Sequence, residues 1–380
     1  MNIDHNEIMR RVAQLSPRLA ANAGACDRER KVVADSMRAM VDAGMFRVPQ
    51  PARVGGYELS LRTLGDAVTG LSEACPSSGW VLMVMGAHHW CMGSFPEAAQ
   101  DEVFDNGRDG LVAGTLSWQG TAKAVDGGYR VNGRWQFASG VDHAEWVMVG
   151  CADAATRGPG VHVVIPRNEI EVDDTWHVMG LKGTGSKDLV AQDLFVPAHR
   201  AIETRVLFGG TSPHAAIHRS NLYRVSAEAM LSTAVATAVL GSGKYALARF
   251  IERTRERKAI LTGARKADHA PTQVRLAEAA AEVRCADLLI HDALAEFDRL
   301  TAAGETQSLQ SRMQVKWQVS YAAELCRRAA ARMFSGSGAH AVYEPSPLQT
   351  AFRNINVGAQ HASIDFDTTA EQYGRLKLTT

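Results

Sequence analysis

The feature that most constrains this 380-residue chain is a hydrophobic period that changes twice, from helical to alternating and back. Apolar residues three or four apart bury one face of a helix, whereas strict alternation buries one face of a strand. Residues 1–109 carry helical spacing in "HNEIMRRVAQLSPRLAANA" and "RERKVVADSMRAMVDAGMF". In the second of these, Val32, Val33, Met37, Met40 and Val41 are expected to share a helix face. An apolar helix is expected from Ser78 onward. Residues 110–211 alternate instead, in short runs such as "YRVNGRWQFASG", "AEWVMVGCA" and "DLVAQDLFVP", punctuated by "DGG", "NG" and "RGPG". Such runs predict an antiparallel β sandwich or barrel. Residues 212–380 return to the helical period. Their first helix, within "RVSAEAMLSTAVATAVLGSGKYALARFIERTRERKAI", is apolar on nearly all sides early on and is expected to be buried there. Two more long segments follow, and a fourth starts near Pro347 and runs through His361, which predicts a four-helix bundle. The predicted class is α+β, mainly α, with three domains at those boundaries.

Composition then excludes several functions. Forty-one basic residues balance 41 acidic ones, which argues against a nucleic-acid partner needing clustered positive charge. The most apolar window, "GWVLMVMGA", is far shorter than the about 20 residues of a membrane span. Six scattered cysteines without a C-x-x-C pair suit reduced thiols, and with no visible secretory signal they point to the cytoplasm. "GLKGTGSKD" imitates a phosphate loop, yet its Ser186–Lys187 order is reversed and a strand follows where a helix is needed. His88 and His89 are adjacent, so a helix cannot aim both at one metal, and no metal site is expected.

The order of parts resembles the acyl-CoA dehydrogenases. "YRVNGRWQFASGVDHAEWVMVG" is similar to the segment that lines the flavin in that family, and "MGLKGTGSKDLVAQDLFVP" to a segment of that family that ends in "VP". In that family a carboxylate near the C-terminus removes a proton from a thioester substrate. Here "FRNINVGAQHAS" sets His361 and Ala362 about where tyrosine and glutamate would stand. A histidine there instead resembles the flavin-dependent monooxygenases of the same fold, the oxygenase components of two-component systems. "GWVLMVMGAHHW", "GTLSWQG" and above all "FASGVDHAEW" are similar to their segments as well.

That resemblance implies reduced flavin (FMN or FAD) from a separate NAD(P)H-flavin reductase, O2 as co-substrate, and hydroxylation of an aromatic or heteroaromatic molecule through a flavin C4a-hydroperoxide. It implies a homotetramer built through the C-terminal helices. It assigns His361 as the base, or positioning group, that withdraws the substrate proton, with a pKa near neutrality. His88 and Ser117 orient the substrate, Ser139 holds flavin N5, Phe137 packs on the flavin ring, and Arg257 binds phosphate, reaching a neighbouring subunit's flavin. Read alone, His88 is a satisfied core histidine, Ser117 and Ser139 close turns, Arg257 belongs to a solvated face, and His143 only fixes its loop. A divergent acyl-CoA dehydrogenase with its base elsewhere, and a flavin-binding scaffold without turnover, are the alternatives.

Overall fold

The computed structural model describes residues 3–105, 109–258, 263–344 and 346–379. Five helices come first: α1 (His5–Glu29), α2 (Ala34–Asp42), α3 (Leu61–Ala74), α4 (Pro76–Met92) and α5 (Glu97–Val103). Asp4 caps α1 by accepting the Glu7 N–H at 2.9 Å, and Ile8, Val12, Leu15 and Leu19 bury one face. Val32 and Val33 precede α2 rather than lying within it, because Val33 is its extended N-cap. The buried face therefore uses Met37 and Met40, with Val32 buried from the loop. Helix α4 starts at Pro76, two residues before the expected Ser78, with proline in the first turn where no N–H is missed. It is buried along almost its whole length, packed on α3 and on the bundle.

The middle part is a single seven-stranded sheet of β1 (Val112–Val125), β2 (Gly128–Ala138), β3 (Trp146–Asp153), β4 (Pro159–Pro166), β5 (Glu171–Asp173), β6 (Lys187–Pro197) and β7 (Ala201–Glu203). Its order is β5-β6-β2-β1-β3-β4-β7, and every pair is antiparallel except β1 with β3. Along β1–β3 the register jumps between Thr115 and Gly120, so residues 116–119 face only Gly150. Gly150 has no room for a Cβ, which would lie 2.7 Å from the Leu116 carbonyl oxygen. This bulge lifts Ser117, Trp118 and Gln119 out of the ladder and exposes them.

Helices α6 (Thr204–Gly209), α7 (Ala227–Glu256), α8 (Ala270–Ala303), α9 (Leu309–Gly336), α10 (Pro347–Gly358) and α11 (Phe366–Thr379) complete the chain. The expected burial of the first half of α7 is present: Ala229 through Gly243 are buried almost without interruption. The fourth bundle helix differs from expectation. It breaks into α10 and α11, and His361 lies in the break, not inside a helix. Gly358 ends α10 where a Cβ would crowd Trp80 at 3.1 Å, and Asp365 begins α11 by accepting the Thr368 N–H at 2.8 Å. No helix among the described residues is long and apolar enough to cross a membrane.

Candidate active site

Trp80, on the second turn of α4, joins the three parts of the molecule. Its indole N–H donates to Ser139 Oγ at 3.2 Å, just past the end of β2. Its ring centroid lies 6.0 Å from that of His361 in the α10–α11 break. Ser139, expected beside the flavin, is 3% exposed and bonds Ser186 Oγ at 2.7 Å, and Ser186 in turn bonds Thr184 Oγ1 at 2.6 Å. Both partners belong to the "GLKGTGSKD" segment that sequence reading dismissed as a false phosphate loop. Thr184 sits in, and Ser186 just after, a tight turn bounded by Leu181 and Gly185, both left-handed, at φ 52° and 56°. The Leu181 N–H donates to Asn354 Oδ1 of α10 at 2.7 Å, which fastens that turn to the bundle.

Phe137 keeps a φ of 72° and is 57% exposed, unusual for so large an apolar side chain. Its ring meets the edge of Trp176 at 6.0 Å, and Trp176 Nε1 donates to the Leu181 carbonyl at 3.1 Å. An exposed, strained aromatic beside a buried hydroxyl suits a planar ring system lying across it. The donor set therefore fits a flavin: an apolar wall with one hydroxyl at its edge.

His361 is open to solvent, yet protein packed around it pushes its imidazole pKa down to about 4. Its Nδ1 accepts the Ser363 N–H at 3.2 Å and lies 2.8 Å from Ser363 Oγ. A main-chain N–H only donates, so the hydrogen-bond pattern assigns the proton of the neutral ring to Nε2. In this arrangement neutral His361 presents an N–H donor at Nε2, and the surrounding protein lowers its pKa below the near-neutral value expected of a base.

His88 has the opposite tautomer. Its Nδ1 lies 3.1 Å from the Val112 carbonyl, which can only accept, so the proton sits on Nδ1 and Nε2 is the ring's acceptor. Burial pushes its pKa down to about 4. The adjacent His89 bonds the Phe46 carbonyl at 3.1 Å, so the two rings serve different backbone sites. His143 bonds the Val32 carbonyl at 2.8 Å, the loop-fixing arrangement.

Ser117 stands on the β1 bulge. Its Oγ accepts from Gln119 Nε2 at 2.8 Å, while Gln119 Oε1 accepts the Gln136 N–H at 2.6 Å, next to Phe137. Arg257 is not brought to the others. Its guanidinium bonds the Ser337 carbonyl at the end of α9. Ser232, at the start of α7, bonds the Ser363 carbonyl at 2.8 Å, and Arg257 follows 25 residues later, about 37 Å along the helix. Within one chain it is remote from His361, and its expected role requires a second copy. Trp80, Gln119, Thr184 and Ser186 were missed by sequence reading; only the resemblance over "MGLKGTGSKD" hinted at the last two.

Profiles for the acyl-CoA dehydrogenase N-terminal and C-terminal domains match residues 3–103 and 233–366. A pigment production hydroxylase from a Rhodococcus species is 33% identical over all of this chain and 98% of its own length. The flavin-dependent monooxygenase oxygenase subunit HsaA of Rhodococcus jostii is 31% identical, over 96% of this chain and 97% of its own. The chain belongs to the flavin-dependent monooxygenases of acyl-CoA dehydrogenase fold. The oxygenase component of an FADH2-dependent resorcinol hydroxylase from a Rhizobium species is 31% identical over 98% of this chain and 94% of its own. Among solved structures, XiaF from a Streptomyces species, in complex with FADH2 and glycerol, superposes with a TM-score of 0.91 at 27% identity, covering 99% of this chain and 98% of its own. As a member of this family, the protein uses reduced flavin and O2.

Proposed function

We propose that this oxygenase takes reduced FAD from its reductase and hydroxylates a phenol or a similarly acidic heteroaromatic substrate. The carrying observation is two neutral histidines of opposite tautomer, His88 with its Nε2 lone pair and His361 with its Nε2 N–H left over for a ligand. A phenol hydroxyl has one proton to give and two lone pairs to offer, so it can meet either kind of ring nitrogen. Bound reduced flavin activates oxygen, which is chemistry the side chains lack. His88, with a pKa of about 4, stays neutral at pH 7 and orients the substrate O–H rather than removing its proton beforehand. As the ring attacks, the substrate O–H becomes more acidic and its proton passes toward His88 Nε2, while the His361 N–H holds the hydroxyl oxygen in place. Ser117, held by Gln119, orients the substrate from the bulge, and Trp80, Phe137 and Trp176 keep water away. Asp365, the carboxylate closest in sequence to His361, is committed to capping α11 with its pKa lowered by Thr368, which disfavours the thioester reading.

Assembly and location belong to the same proposal: a cytoplasmic homotetramer, with units at 1–109, 110–211 and 212–380, in which Arg257 contacts the flavin of another copy. Anaerobically reduced FAD and FMN, mixed with oxygenated buffer and phenols or indole, test the chemistry. Label from 18O2 should enter the product. Failure to incorporate label, together with bleaching of bound flavin by an acyl-CoA, would instead identify an acyl-CoA dehydrogenase.

A further inference from the structure

The four oxygens behind the candidate flavin site form a chain whose ends differ in kind. At one end Trp80 Nε1 can only donate, and it reaches Ser139 Oγ at 3.2 Å. At the other end the Leu181 carbonyl can only accept, and Thr184 Oγ1 lies 2.8 Å from it. Two oxygens that close repel unless a proton lies between them, so the single Thr184 hydroxyl proton points at Leu181. Ser186, at 2.6 Å, must then donate to Thr184, and Ser139, at 2.7 Å, must donate to Ser186. Ser139, Thr184 and Ser186 are all at most 3% exposed, so water offers no easy route to another arrangement.

Ser139 has thereby used its one proton and one of its two lone pairs. What remains is a single acceptor. Reduced flavin carries a hydrogen on N5 and meets that acceptor with a donor. Oxidised flavin presents a lone pair at N5 and meets it with repulsion. We infer that the chain Trp80–Ser139–Ser186–Thr184–Leu181 is a redox-state filter that makes the site prefer reduced to oxidised flavin, with Ser186 and Thr184 as positioning residues. The inference rests on the reading that flavin N5 lies at Ser139.

Anaerobic titration of wild type, Ser186→Ala, Thr184→Val and Thr184→Ser with oxidised and reduced FAD tests it, scored as the ratio of the two dissociation constants. Wild type should favour reduced FAD. In Ser186→Ala and Thr184→Val the Ser139 proton is freed to turn toward N5. The preference should then shrink about fivefold or more, the scale of one neutral hydrogen bond. Thr184→Ser keeps the hydroxyl and should keep the wild-type ratio. A merely structural role predicts that both forms weaken together with the ratio unchanged, and that outcome overturns the filter while leaving the flavin site standing. Wild type that binds neither form overturns the flavin reading and the filter with it.

Discussion

At the scale of single residues, the donor role of His361 separates from a base role by the choice of replacement. His361→Ala should slow oxygen transfer by roughly 10²-fold, at the low end of what general catalysis contributes, and raise peroxide release per reduced flavin consumed. His361→Gln retains an N–H donor and cannot act as a base, so it should recover part of the coupling. Equal loss in both variants would restore the base assignment. Melting temperature should change little in either, because His361 is water-accessible and its removal leaves no sealed void. The buried imidazoles behave differently. His162, 0% exposed, bonds the Leu116 carbonyl at 3.0 Å and Thr204 Oγ1 at 3.2 Å, and burial pushes its pKa down to about 4. The unfolded chain, with an ordinary histidine pKa near 6.5, binds this proton first. Stability is therefore full above about pH 6.5 and declines as pH falls toward 4, by up to about 3 kcal/mol from this one group. Urea unfolding at pH 7.5 and 5 should show the decline, and His162→Gln should reduce it by the share of this one group, since His88 and His89 are lowered too. An unchanged slope in the variant would mean that His162 already titrates normally.

At the scale of elements, the turn around Leu181 is the joint between sheet and bundle. A Cβ on Gly180 would lie 2.4 Å from the Arg353 carbonyl oxygen and 2.9 Å from the Asn354 nitrogen, both backbone atoms of α10. Gly180→Ala should consequently destabilise by about 1–3 kcal/mol, the usual cost of overpacking. It should also weaken flavin binding, because the same turn carries Thr184 and Ser186. Asn354→Ala should cost a similar about 1–3 kcal/mol by orphaning the buried Leu181 N–H. Denaturant melts and flavin titrations on the same preparations check both. Much of this architecture was legible. Alternation along β2 and β6, the burial of early α7 and the resemblance around Ser139 all depend on local pattern, and each placed its element. The β1 bulge was not legible, since a register jump depends on how β3 lies alongside, with Gly150 opposite. The α10–α11 break was signalled by Gly358 and Asp365, but the helix-tolerant "AQHAS" between them masked it. The tautomers of His88 and His361 were beyond any sequence pattern, because carbonyl and N–H partners are set by the assembled backbone.

At the scale of the whole molecule, α8 and α9 present large apolar side chains to solvent: Val274 at 56%, Leu288 at 53% and Leu309 at 60% exposed. The proposed tetramer through the C-terminal helices would cover such residues, and on that proposal sedimentation equilibrium should return a mass four times that of the 41.1 kDa chain. Leu288→Glu should lower it if α8 lies in the interface, and Arg257→Ala should weaken FAD binding only in the assembled form. A monomer with full flavin affinity would sink the placement of Arg257. The bonds around the candidate site also join distant stretches of chain: 59 positions separate Trp80 from Ser139, and 173 separate Leu181 from Asn354. Closing such long loops is slow. During synthesis α4 and most of the sheet leave the ribosome long before α10 exists, and Trp80 must wait for its histidine until the α10–α11 break has been made. A newly made chain is thus unable to hold flavin, and to leak peroxide from it, until that break has emerged.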